Sequence, residues 1–270
     1  YGAVHSCAML RRLWVDARHA AAAGQPNMMA AWHAPSCAAQ WEELQACDSV
    51  AIIVPTTTRG VAHPGMHVSD LALVRRLFVS LFSTIDDDIA YTVYIPVDQG
   101  DWLATPAHRA ELEALSLDNV YIYPVVQPGG TFTVAANIAG RLAYNDGAKY
   151  MVRLNDDTQV DTAGWTRAGM KALAAFDPPN VGVVGPVCLE GNTRIMTHDM
   201  VHRNHLEVFE DYYPAVFDNW YIDDWITEVY KPGRSLVVQN WKVTHHTSDH
   251  GTRYNPQYHH QSILCATLKV

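Results

Sequence analysis

Short apolar runs that stop abruptly at polar residues recur along this chain, each followed by a stretch of helical periodicity. That alternation constrains the fold more than any other feature of the sequence. In "SVAIIVPTTTRG", Val50 to Val54 is a continuous apolar run, as in a strand covered on both faces. Pro55 ends it, and Thr56 to Gly60 form a polar loop. Leu71, Val74, Leu77, Phe78 and Leu81 then fall on one helical face. A second strand, "IAYTVYIPVDQGD", closes on Asp98 and a turn at Gly100. "ELEALSL" reads as a short helix and "NVYIYPVV" as a third strand. "TFTVAANIAGRLAYNDGAK" is helical as far as Asn145-Asp146-Gly147, a helix-stop signal, and it feeds a fourth strand from Tyr150 to Leu154.

Strands and helices in this order predict an α/β fold, a mostly parallel central sheet flanked by helices, running from residue 49 to 270. Further along come a helix (Thr166 to Phe176), a strand "NVGVVGPVC", an aromatic and acidic stretch at 197–230 expected as mixed helix and loop, and a last strand "SLVVQNWKVTHH" that enters a His-rich loop. Residues 1–48 are rich in Ala, His, Met and Trp, with a weak helical pattern from Cys7 to Ala22. They read as an N-terminal extension of short helices, peripheral to the domain. Parallel sheets bind ligands beyond the carboxyl ends of their strands. Thr56 to Arg59, Asp98 and Asp156-Asp157 are therefore expected along one crevice.

Charge narrows the partners. Lys and Arg total 19 against 28 Asp and Glu, a formal net charge of −9, which argues against a general nucleic-acid binder. A nucleotide-sugar ligand stays compatible with that balance, because a bound metal neutralises a diphosphate locally. No apolar run is long enough for a membrane span. The first residue is Tyr1 rather than Met, as in a processed or partial chain, so no compartment is assigned. The cysteines Cys7, Cys37, Cys47, Cys188 and Cys265 contain no C-x-x-C pair and so no structural zinc signature. Cys37 and Cys47 flank a short amphipathic stretch and are candidates for a local disulfide; the alternative is free buried thiols.

The acid string in "VRLNDDTQV" carries the first chemical signal. Adjacent carboxylates at a strand end repel each other and are costly to desolvate unless a cation or donors compensate. One reading is a solvated turn. The other is a divalent-cation site, since Mg²⁺ and Mn²⁺ take one or two carboxylates and complete their shell with phosphate and water. A strand end places adjacent side chains on opposite sides, so one of Asp156 and Asp157 reaches the metal and the other a ribose or sugar hydroxyl. "NWYIDDWITEVY" places Asp223 and Asp224 between bulky apolar neighbours, where a carboxyl is raised toward the range of a general base. Trp220 and Trp225 offer flat faces for a sugar ring. The plainer reading of this stretch is a helix N-terminus with Trp225 in the core. In "WKVTHHTSDHGTRY", His245 and His246 leave a strand on opposite sides, so one imidazole is a candidate ligand for the same metal. Asp249, Gly251 and Arg253 form a loop able to close over substrate. "VPTTTRG" is neither a P-loop nor a dinucleotide glycine motif, and its Arg59 is either a phosphate or base contact or a surface residue.

Taken together, these segments resemble nucleotide-sugar-dependent glycosyltransferases of the GT-A fold, over residues 49–255 or so. "AIIVPTTTRG" resembles the family's first strand and nucleotide loop, here Pro55, Thr56, Thr57, Thr58 and Arg59. "YIPVDQGD" resembles the second strand, whose terminal acid, here Asp98, contacts the base. "VRLNDDTQV" resembles the D-x-D motif, with Asn155 in place of its first acid, Asp156 near the ribose or sugar and Asp157 in the metal position. "NWYIDDWI" is similar to the D-D-W segment of inverting members such as N-acetylglucosaminyltransferase I, in which the second acid, here Asp224, deprotonates the acceptor. "KVTHHT" resembles the late histidine that completes the metal shell, with His246 preferred to His245.

The resemblance implies a Mn²⁺- or Mg²⁺-dependent transferase that moves a sugar from a UDP-sugar donor to a glycan, glycoprotein or small-molecule hydroxyl, with inversion. The competing implications are a retaining transferase of the same fold, a sugar nucleotidyltransferase, and a non-catalytic carbohydrate-binding relative in which Asn155 marks lost metal binding.

Overall fold

The computed structural model describes residues 2–22, 24, 42–44, 46–249 and 260–268. Helix α1 (Gly2–Ala22) precedes β1 (Ser49–Ile53). A π-helical turn (Leu73–Phe78) runs into α2 (Val79–Phe82), followed by β2 (Ala90–Asp98), α3 (Pro106–Glu113) and β3 (Val120–Gln127). Next come α4 (Phe132–Asn145), β4 (Tyr150–Arg153), β5 (Thr158–Val160), α5 (Trp165–Ala174), β6 (Val183–Cys188) and β7 (Asp199–His202). Two short helices, α6 (Asn204–Phe209) and α7 (Ile222–Glu228), lead to β8 (Ser235–His245), and α8 (His260–Thr267) lies near the end of the chain.

The eight strands form one mixed sheet in the order β3-β2-β1-β4-β7-β6-β8-β5. The β3-β2-β1-β4 half is parallel throughout, which aims the carboxyl ends of β1, β2 and β4 the same way. β7 runs antiparallel to both β4 and β6, while β6 and β8 are parallel and β5 pairs antiparallel with β8. The apolar run in β1 explains why that strand lies in the middle. It is buried at every position, and successive side chains enter opposite layers of core. Val50 and Ile52 join one cluster with Leu77, Phe78 and Trp165, whereas Ala51 and Ile53 join the other with Tyr94, Ala139 and Tyr212. Each such aliphatic side chain stabilises the fold by about 1.5–3 kcal/mol. Ile52→Ala would cost roughly 2–5 kcal/mol by opening a cavity between the layers.

Helix α4 covers the second layer with small residues. Thr131 caps its start by accepting from the Val134 amide. Gly140 lets the Tyr212 ring approach so closely that a Cβ there would stand 3.1 Å from it. The helix stops at Asp146, and Gly147 follows with a φ of +84°, a left-handed turn that glycine adopts without steric cost.

Residues 2–22 form one helix, in keeping with the helical pattern from Cys7 to Ala22, and Asp146 ties it to the domain. Arg11 and the Trp14 indole donate to the Asp146 carbonyl, while Arg18, His19 and the Tyr94 hydroxyl meet its carboxylate. Two expectations change. The disulfide is Cys7–Cys47 and not Cys37–Cys47, because α1 carries Cys7 to the start of β1; Cys37 itself lies outside the described residues. The 197–230 stretch contains strand β7 as well as helix, a four-residue strand too short for its period to show in sequence. Among the described residues, no helix is long and apolar enough to cross a membrane.

Candidate active site

The loop after β1 and the ends of β2 and β4 lie side by side because the three strands are parallel neighbours in register, Ile53 beside Tyr94 and Arg153. Asp101 organises the first loop. It accepts from the Thr57 and Thr58 hydroxyls at 2.9 and 2.5 Å and from the Thr58 amide at 2.9 Å. Thr56 turns its hydroxyl back to the Val54 carbonyl. What this loop turns outward is therefore Arg59, whose Nη2 lies 3.2 Å from Asp98 Oδ2. The other Asp98 oxygen accepts from Gln127 Nε2 at 2.8 Å. Arg59, Asp98, Asp101 and Trp102 line a hollow of about 510 Å³. Asp101, Trp102 and Gln127 were not singled out in the sequence. Asp101 and Trp102 directly follow Asp98 and its Gly100 turn, whereas Gln127 reaches Asp98 only through the β2–β3 register.

A second hollow, about 490 Å³, borders the acid string. Its walls include Pro55, Asn155, Asp156, Asp157, Asp223, Asp224, Trp220 and His245. The pairing of β5 with β8 sets Thr158 opposite His245 and so delivers the imidazole to the acid string. His245 Nε2 lies 3.1 Å from Asp157 Oδ1 and 3.0 Å from Asn155 Nδ2. His246 points away, as strand alternation requires: its ring meets Gln159 at 3.3 Å, while its amide donates to the Asp157 carbonyl. His198 packs edge-on against His245, with ring centroids 5.1 Å apart. Thr158 and Thr197 engage its two nitrogens, and burial pushes its pKa well below the ordinary value, so it is a neutral wall.

Two protein donors, Asp157 and His245, thus converge at a separation that fits adjacent ligands of an octahedral cation with bonds of about 2.1 Å. Among the described residues, no group of three or more His, Cys, Asp or Glu side chains could hold a metal. The pair could therefore supply only part of a cation's shell, the remaining positions falling to groups outside the protein.

Opposite stands the pair from the first turn of α7. Asp223 Oδ1 is bound at 2.5 Å by Arg153 Nη2. Asp224 is half-buried and borders the hollow; burial raises its pKa above the ordinary carboxylate value, and Glu228 adds to the rise. Before them Tyr221 takes a φ of +73°, turning the chain so that Trp220, 43% exposed, lies at the rim. Trp225 does not share that rim. It is 2% exposed and packs edge-on to Phe209, which corrects the expectation that both tryptophans face a ligand. Gly251 and Arg253 of the proposed closing loop lie outside the described residues, while Asp249 is ion-paired with Arg76 at 3.0 Å.

No protein-family model matches this chain, and no curated protein matches it. Among solved structures it is similar to S. aureus TarS 1-349, with 15% identity and a TM-score of 0.45 over 72% of this chain and 60% of that one. It is also similar to the complex of S. aureus TarS 1-349 with UDP, with 14% identity and a TM-score of 0.44 over 82% and 70% of the two chains.

Proposed function

We propose that this chain is a glycosyltransferase that moves a sugar from a nucleoside diphosphate donor to an acceptor hydroxyl with inversion. One observation carries the reading: Asp224 borders the same hollow as the facing pair Asp157 and His245. The two chemical demands of such a transfer, a base for the acceptor and ligands for a cation that neutralises the diphosphate, would then be served from one hollow.

Arg59 and Asp98 are assigned to the nucleoside, in the hollow they share with Trp102. Asp156 is assigned to a donor hydroxyl and Asn155 to the donor side of the hollow. Asp157 and His245 would hold Mn²⁺ or Mg²⁺, which supplies positive charge to the departing diphosphate. The acceptor hydroxyl lies against Trp220 and Tyr221. Asp224 takes its proton as the oxygen bonds to the anomeric carbon, and the bond from that carbon to the diphosphate oxygen breaks with its electron pair. A carboxyl raised by burial suits this task, because a base works best with a pKa near the working pH. The resemblance in the sequence favours a UDP-sugar over a GDP-sugar.

Calorimetric titration with UDP and GDP, with and without Mn²⁺, tests the donor reading. Metal-strengthened UDP binding supports it, and metal-independent or absent nucleotide binding overturns it in favour of a non-catalytic relative. The anomeric configuration of the product by NMR tests inversion, and retention would remove the need for Asp224 as base.

A further inference from the structure

Arg153 ends β4 immediately before the acid string, and its side chain is buried to 1% exposure. A guanidinium carries five N–H donors in a rigid plane. Here four hydrogen bonds and an ion pair hold it to protein acceptors. Nε donates to the Tyr213 hydroxyl at 2.9 Å. Nη1 donates to Asn155 Oδ1 at 3.3 Å and to the Thr197 carbonyl. Nη2 meets Asp223 Oδ1 at 2.5 Å and Asp199 Oδ2 at 3.1 Å. Asp199, fully buried, also accepts from the hydroxyls of Tyr212 at 2.8 Å and Tyr213 at 2.5 Å. One side chain therefore bonds the acid string on one wall of the hollow and the acid pair on the other.

We propose that Arg153 is a positioning residue: it clamps Asp223, and with it the first turn of α7, so that Asp224 is presented to the hollow, and it orients the Asn155 carboxamide so that Nδ2 faces His245. The inference rests on the transferase reading for the role of Asp224. Asp223 thereby differs in kind from its neighbour. It is the anchored member of the pair, and Asp224 is the working one. A lysine here would keep the charge and lose the fork, since an ammonium cannot span these divergent acceptors in one plane.

The test compares Arg153→Lys, Asp223→Asn and the double variant, measuring kcat, the two KM values, UDP affinity by calorimetry and thermal unfolding. Arg153→Lys and Asp223→Asn are each expected to lower kcat by about tenfold or more, with UDP affinity within about threefold of wild type. The double variant is expected to be no slower than the slower single one, because the two residues act as a unit. A kcat within about twofold of wild type in a folded Arg153→Lys protein, or losses that multiply in the double variant, overturns the proposal. Should Arg153→Lys fail to fold, Asp223→Asn decides alone, since Asp223 keeps 30% of its side chain exposed. A wild-type protein that turns over no sugar nucleotide overturns the transferase reading instead.

Discussion

Asp157 and His245 face each other with Oδ1 and Nε2 3.1 Å apart, brought together by the pairing of β5 with β8. Strand alternation gives His245 the hollow and sends His246 to Gln159. His245→Ala is therefore expected to reduce Mn²⁺-dependent UDP affinity by roughly tenfold or more, and His246→Ala to leave it within about twofold. Calorimetry at fixed Mn²⁺ reads both, and the reverse ranking would return the metal to His246.

Asp224 carries the base assignment alone, because its neighbour is ion-paired to Arg153. Asp224→Asn should lower kcat by about 10²- to 10⁴-fold while UDP affinity stays unchanged. The pH profile follows from the direction of its shift. Burial raises its pKa, and a base must be ionised, so activity should fall as pH drops through a limb lying above the ordinary carboxylate value. A rate flat to the ordinary carboxylate range, or an asparagine variant with normal turnover, would remove Asp224 from the chemistry.

Strand direction is the most legible part of this protein. The uninterrupted burial of Val50 to Ile53 follows from local composition, so the parallel half of the sheet is readable from the order of residues alone. The single crevice expected at its strand ends is instead two hollows, one beside Arg59 and Asp98 and one beside Asp156 and Asp157. The choice between His245 and His246 is not readable either, because it depends on the β5–β8 register, a contact between distant segments. Arg153 is hidden for a similar reason. In sequence it is one polar residue in an apolar strand, and only the fold brings Thr197, Asp199, Tyr213 and Asp223, from three distant stretches, around it. Trp225 misleads because its phase in α7 turns it into the core, while Trp220 lies before the helix and is set at the rim by the turn at Tyr221, and neither shows in composition.

Asp146 joins α1 to the sheet, with its carboxylate meeting Arg18, His19 and the Tyr94 hydroxyl. Asp146→Ala would leave the buried Tyr94 hydroxyl without this acceptor, a loss of about 1–3 kcal/mol. Urea unfolding should show the midpoint fall, with nucleotide affinity kept because the latch lies at the opposite end of β4 from the acid string. An unchanged midpoint would mean that α1 is held without the carboxylate, by the Cys7–Cys47 bond, the Leu10, Trp14 and Leu44 cluster and the bonds of Arg11 and Trp14 to the residue-146 carbonyl.

The two tryptophans of the D-D-W region should respond in opposite currencies. Trp220 is 43% exposed at the rim, so Trp220→Ala removes a stacking face without opening a cavity. Its expected effect is a rise of about fivefold or more in acceptor KM, with stability within roughly 0.5 kcal/mol of wild type. Trp225 is enclosed with Phe209 and His205, and its alanine variant should lose about 3–5 kcal/mol of stability. Steady-state kinetics against acceptor, paired with chemical denaturation, separates the two. If Trp220→Ala left acceptor KM unchanged while the enzyme stayed active, the acceptor would have to approach Asp224 from the Phe132 and Ile195 side of the hollow, and the stacking face would have no part in its recognition.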